Sequence, residues 1–213
     1  MTSEGVLSRD IEERKYTVEH IVPLFKAMQS VYREYKFDWI EVQLNSIKEV
    51  KQLFPKFDLT MNRADGVCMK ASSNKEMVFI EVSGGPKSTV AKHVREDSEK
   101  LIKEAMFGLV SLLRDHLGKN AANASNIHTY MVQVIGNNVS ATTSVLSSAQ
   151  ILHKQSVLGD RMTLSEICLS ERYFYTVSQI KSAVLPFSFD DVEKFLDVFE
   201  LLYTLLVSIS AYA

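Results

Sequence analysis

Two acidic residues are conspicuous for their settings. Asp65 lies near the start of the run Arg63-Ala-Asp65-Gly-Val-Cys-Met69, and Glu81 follows 16 positions later inside Met77-Val-Phe-Ile-Glu81-Val-Ser83. A lone carboxylate in so apolar a strand is costly to bury, so Glu81 must have a partner. Strand alternation places Met77, Phe79, Glu81 and Ser83 on one face. Arg63 or Lys75 could supply that partner across a hairpin as a structural ion pair, with Asp65 before Gly66 serving a tight turn.

The order of parts carries more than either acid. An aspartate at the start of one strand and a glutamate inside the next, joined by a hairpin and backed by a helix, resembles the PD-(D/E)XK nuclease superfamily. The likeness extends over residues 57–206, through the Ile135-Gly136 strand end and the helix after Pro186, and is similar to a set of PD-(D/E)XK-like proteins from early-diverging fungi. It implies a restriction-endonuclease-like α/β fold with a central mixed sheet flanked by helices, and metal-dependent phosphodiester hydrolysis. Asp65 and Glu81 would then hold Mg²⁺ or Mn²⁺, with the carbonyl of Val82 as a further ligand. Such hard cations take oxygen ligands, keep several waters and need only one or two carboxylates beside phosphate oxygens. An acid on the first helix often joins the site, and Glu19 and Glu34 are the candidates.

The sequence departs from the family two residues after the glutamate, where a lysine is replaced by Ser83. Serine brings no positive charge to offset that of the transition state. Lys87, just past Gly84-Gly85-Pro86, and Lys100 on the following helix are the candidates to replace it, so the expected catalytic set is Asp65, Glu81, Ser83, Lys87 and Lys100. The hairpin should carry Lys70 and Lys75 away. The competing expectation is an inactive relative that binds nucleic acid or protein, with Asp65 and Glu81 tied up in salt bridges and no cleft above them.

Other chemistries fit poorly. Gly84-Gly-Pro-Lys87-Ser-Thr89 lies between a strand and a helix, but a phosphate-binding P-loop needs glycines where Pro86 and Glu81 stand, and proline removes an amide. The N-terminus of the following helix remains able to bind an anion. His20, His93, His116, His128 and His153 form no H-E-x-x-H pair, and Cys68 and Cys168 no C-x-x-C pair, which argues against zinc and against a disulfide scaffold. No Gly-x-Ser-x-Gly elbow occurs.

The elements that must position these residues follow from periodicity. Apolar residues from Thr17 to Tyr32 recur at helical spacing, with Pro23 in the first turn, and a shorter helix is expected from Trp39 to Leu53. Residues 57–60, 66–69 and 77–82 read as short strands, with 71–75 as a hairpin loop. Residues 94–117 make one broad apolar helical face ending at Gly118. An antiparallel meander is expected over 128–135, 139–146 and 151–158, with a further strand over 172–180. Asp190 is expected to cap a closing helix.

The 213 residues, 46% of them hydrophobic, suit a single domain over 1–213, continuous from about Thr17, with disorder expected over residues 1–16. The net charge of −2 provides no global field toward nucleic acid or an anionic membrane, so a DNA or RNA partner would need a local basic patch, for which Lys48, Lys51, Lys56 and Lys92 are candidates. The start of the chain lacks a secretory pattern, and the apolar stretch 201–213 is shorter than the roughly 20 residues of a membrane span. An intracellular protein, cytoplasmic or nuclear, is expected, with a homodimer as a candidate assembly from the family likeness.

Overall fold

The computed structural model describes residues 11–56, 63–85, 90–118, 121–136, 141–145, 153–157, 160–171 and 174–211. A six-stranded mixed sheet, flanked by helices on both faces, has the order β1-β2-β3-β4-β7-β8. Its strands are β1 (Tyr35–Gln43), β2 (Arg63–Lys70), β3 (Glu76–Ser83), β4 (His128–Ile135), β7 (Arg161–Glu171) and β8 (Phe174–Val184). A separate hairpin joins β5 (Ala141–Val145) to β6 (His153–Val157).

Four of the five pairings in the large sheet are antiparallel, and β3 with β4 is parallel. A parallel neighbour requires a crossover, here the 24-residue helix α4 (Ala91–Arg114). The central strand β3 is buried at all eight positions. Val78, Ile80 and Val82 join the larger core with residues of the N-terminal helices and of α5 (Lys194–Ser210), whereas Phe79 joins Leu101, Ala105 and Leu109 of α4 and Ile47 of α3 (Asn45–Leu53). Alternation along β3 therefore assigns 79, 81 and 83 to the face that α4 covers. Gly108 lets α4 lie close there, since a Cβ at that position would stand 2.4 Å from the Phe79 ring.

Several expectations need correction. Residues 11–16, expected to precede the domain, belong to the fold: Ile11 and Tyr16 are buried, and α1 starts at Glu13. From α1 (Glu13–Tyr16) the chain passes through a π-type turn at Thr17–Ile21 into α2 (Val22–Val31). Pro23 thus falls well inside the helical run, where a missing N–H and a crowded upstream carbonyl favour such a widened turn. The helix expected from Trp39 is instead the second half of β1 followed by α3. A bulge with positive φ at Ile40 and Glu41 breaks the alternation of β1 and gives its apolar residues a misleading spacing.

The meander is also revised, because β4 pairs with β3 and β7, while β5 and β6 pair with each other in their own sheet. Strand β7 has no counterpart among the expected elements, and the strand expected at 172–180 is β8, running on to Val184. Asp190 does not cap α5. It lies in a 3₁₀ turn at Phe189–Asp191, and the residue before α5 is Glu193, which makes no side-chain cap bond. The strand expected at 57–60 lies outside the described residues. Among the described residues no helix is long and apolar enough to cross a membrane.

Candidate active site

The β2–β3 hairpin brings the two acids together. Gly66 pairs with Ile80, so Asp65 and Glu81 stand one step further along the ladder. The Asp65 N–H donates to Glu81 Oε1 at 3.2 Å, and the Val82 N–H donates to Asp65 Oδ2 at 2.8 Å. The peptide after the glutamate thus meets Asp65 through its N–H. Glu81 is 1% exposed, and its charged partner is neither Arg63 nor Lys75.

That partner comes from α4. Lys100 Nζ lies 2.8 Å from Glu81 Oε1. Lys75 is at the other end of β3, bonded to Glu49 and Asp115, and Arg63 pairs with Glu41 on the exposed side of β2. Lys87 lies outside the described residues. Lys100 is therefore the described lysine from the expected set that reaches the carboxylates.

Ser83 faces the same helix but serves a different set of bonds. It is 0% exposed, bonded to the Asp97 carboxylate, and accepts from Gln133 Nε2 at 3.2 Å. Gln133, on the neighbouring β4, also donates to Ser98 Oγ at 2.8 Å and to the Val94 carbonyl at 3.3 Å. The motif-lysine position is thus sealed beneath the first turns of α4. A side chain entering from the helix can reach Glu81, whereas a long one starting at residue 83 would have to displace that network.

An acid from the first helix that reaches this end of β3 is Glu13. Its Oε2 accepts the Gly84 N–H at 2.8 Å, just beyond the end of β3. The approach requires glycine next door: a Cβ on Gly85 would fall 2.7 Å from the Glu13 nitrogen. Glu19 lies in the π turn and pairs with Lys15, and Glu34 lies in the turn between α2 and β1, where its carbonyl accepts the Ala71 N–H.

Among the described residues, the site holds more acid than cation. Burial raises the proton affinity of Asp65, of Glu13 and of Asp97, each against a bond that lowers it. Burial, with the charges of Asp65 and Glu104 behind it, pushes Glu81 upward too. Burial alone would lower Lys100, but its contact with Glu81 and the charges of Glu104 and Asp65 outweigh it, so its affinity rises and it stays an ammonium. Glu104, one helical turn beyond Lys100, is 1% exposed, has no hydrogen bond to either carboxylate oxygen, and is pushed up to about 7, chiefly by burial.

Glu13, Asp97, Glu104 and Gln133 were not singled out from the sequence. Glu13 is masked by the charged run Glu12-Glu13-Arg14-Lys15 ahead of the expected helix start. Asp97 and Glu104 carry a readable signal, because with Lys100 they recur at helical spacing toward the sheet, where apolar residues are the rule.

Among the described residues no three histidine, cysteine, aspartate or glutamate side chains are disposed to hold a metal ion. A metal would thus rest on the Asp65–Glu81 pair, completed by water and phosphate oxygens, as Mg²⁺ accepts. Close by, both buried oxygens of Glu104 make no hydrogen bond among the described residues, and a carboxyl so buried calls for a proton or a counter-charge. Comparison of the chain with protein-family models, curated proteins and solved structures gives no match.

Proposed function

We propose that the protein has a PD-(D/E)XK-like, restriction-endonuclease-like core and hydrolyses phosphodiester bonds with Mg²⁺ or Mn²⁺. One observation carries this reading: the Lys100 ammonium, from a helix, meets the Glu81 carboxylate beside Asp65. Lys100 then supplies the positive charge that Ser83 lacks. Asp65 and Glu81 hold the metal, and Glu13 adds negative potential at the same end of β3. When bound, the metal supplies Lewis-acid polarisation of the scissile phosphate.

The roles of the chain's own residues follow from their settings. Lys100 offsets charge that develops on the phosphoryl oxygens and orients the attacking water. Ser83, Asp97 and Gln133 lock the first turns of α4 onto β3 and β4, which fixes the origin of the Lys100 side chain. The Val82 N–H holds one Asp65 oxygen, leaving its carboxylate plane oriented by the backbone.

A second reading is favoured by the enclosure of Glu81. With 1% exposure and bonds from both Lys100 and the Asp65 N–H, it is held as a structural ion pair would be. A nucleic-acid-binding or protein-interaction module without catalysis would look the same. Calorimetric titration with Mn²⁺ and Mg²⁺ separates the two. The nuclease reading expects binding that is lost in both Asp65→Ala and Glu81→Ala, and cleavage of DNA or RNA that is lost in Lys100→Met. A folded wild-type protein that binds neither metal would leave only the module.

A further inference from the structure

The face of α4 that meets β3 carries Asp97, Lys100, Glu104, Gly108 and Ser111, spaced three or four residues apart. Four of them have an evident counterpart: Asp97 bonds Ser83, Lys100 bonds Glu81, Gly108 clears the Phe79 ring, and Ser111 bonds Glu49 and Lys75. Glu104 has none. It is as buried as Glu81, yet both of its carboxylate oxygens lack a hydrogen bond. Buried polar atoms are rarely left so, and an orphaned pair calls for an explanation.

We propose that Glu104 is a second seat for the Lys100 ammonium, which leaves Glu81 for Glu104 when a divalent cation occupies the Asp65–Glu81 pair. This rests on the metal-dependent reading above and makes Glu104 a positioning residue. In the present state Glu81 Oε1 already receives two donors, Lys100 Nζ at 2.8 Å and the Asp65 N–H at 3.2 Å. A cation coordinating that carboxylate at about 2.1 Å would be repelled by an ammonium on the same oxygen. Without another acceptor, the lysine would have to leave for solvent, and its charge would be lost to the reaction.

Residues four apart on a helix have Cβ atoms about 5–6 Å from each other, within the sweep of a lysine side chain. Glu104 therefore offers Lys100 a charged acceptor one turn away, still under the sheet. Its two oxygens, which make no hydrogen bond among the described residues, are free to accept the ammonium.

The test is a double-mutant cycle on the full chain, read by Mn²⁺ calorimetry in wild type, Glu104→Gln, Lys100→Met and the double variant. The expected result is that Glu104→Gln weakens Mn²⁺ binding about tenfold when Lys100 is present and changes it less than about twofold when Lys100 is methionine. An equal loss in both backgrounds would mean that Glu104 acts on the metal directly, and no loss in either would mean that Lys100 needs no second seat; each overturns the proposal. If wild type and Lys100→Met both fold and neither binds Mn²⁺, the metal reading fails and the proposal falls with it. That outcome is distinguishable because it does not depend on residue 104.

A second readout follows the amine itself. With Mg²⁺ added, the Lys100 ammonium protons should remain protected from exchange in the wild type and become labile in Glu104→Gln by lysine-selective nitrogen NMR. A change in packing alone would not produce that metal-dependent difference. Should Glu104→Gln not fold, Glu104→Met, which removes the carboxyl without adding a polar atom, takes its place in both measurements.

Discussion

Lys100 Nζ stands 2.8 Å from Glu81 Oε1, across the interface between α4 and β3. The Glu81 side chain is 2% exposed and that of Lys100 23%, so this pair belongs to the interior more than to the surface. Removing one member of such a pair leaves the other charge stranded.

Lys100→Met should therefore cost about 3 kcal/mol of stability at pH 10 and distinctly less at pH 7. The unfolded state is common to both proteins, so the difference between them begins where Glu81 of the wild type ionises. Burial pushes that group up to about 9; without the ammonium it lies higher still, so the penalty grows as pH rises through that value. Urea unfolding of wild type and variant at the two pH values checks this, and an equal loss at both would contradict it.

Glu104 sets a pH dependence of its own. Its folded-state affinity lies at about 7 against an ordinary 4.5, a raised value, so its contribution to stability is full below about pH 4.5 and is lost as pH rises through 7. The loss is about 3 kcal/mol for this group. Glu13, Asp65 and Asp97 shift in the same direction and add to the slope. Glu104→Gln should flatten the stability profile between pH 5 and 8, measured by denaturant midpoints.

Placing at position 83 the lysine of the PD-(D/E)XK motif should do harm. Ser83 is fully buried and bonded to Asp97 and Gln133, so Ser83→Lys would insert a long cation into a filled space. Overpacking of that kind costs about 1–3 kcal/mol before charge burial is added. The expected result is a lower melting temperature and no gain in hydrolysis; a stable variant with higher activity would show that Lys100 does not fill the role.

Gly85→Ala tests the anchoring of Glu13. The new Cβ would meet backbone atoms of Ile11 and Glu13 at 2.7–2.8 Å, and backbone cannot step aside as a side-chain tip can. The N-terminal helix should shift, breaking the Glu13–Gly84 bond. Faster hydrogen exchange at the Gly84 amide, with a stability loss of about 1–3 kcal/mol, is the expected outcome.

The parts of the fold that were legible in the sequence are those whose patterns are local. The apolar runs around Val67 and Phe79, the turn at 71–75 and the long stripe of α4 each announce themselves within a few turns or residues, and they place Asp65, Glu81 and Ser83 on known elements. Lys100 was readable as a candidate because it lies on that helix. The same patterns could not choose it over Lys87, because its distance from Glu81 depends on how α4 crosses β3. Strand β1 was lost to its bulge, and the pairing of β4 with β7 skips the intervening hairpin, a long-range choice with no local mark. Glu13 needed the approach of two segments some 70 residues apart.

The bulge in β1 also bears on how copies of this chain behave toward one another. β1 is an outer strand of the sheet, and such a strand invites another to zip onto its free amides and carbonyls. Ile40 and Glu41, both at positive φ, interrupt the row of amides halfway along, and the half-exposed to exposed Lys36, Asp38 and Glu41 put charge beside it. Growth of a continuous sheet from one molecule to the next would have to straighten that kink and crowd those charges. A feature that obscures the strand in the sequence thereby works against edge-to-edge aggregation.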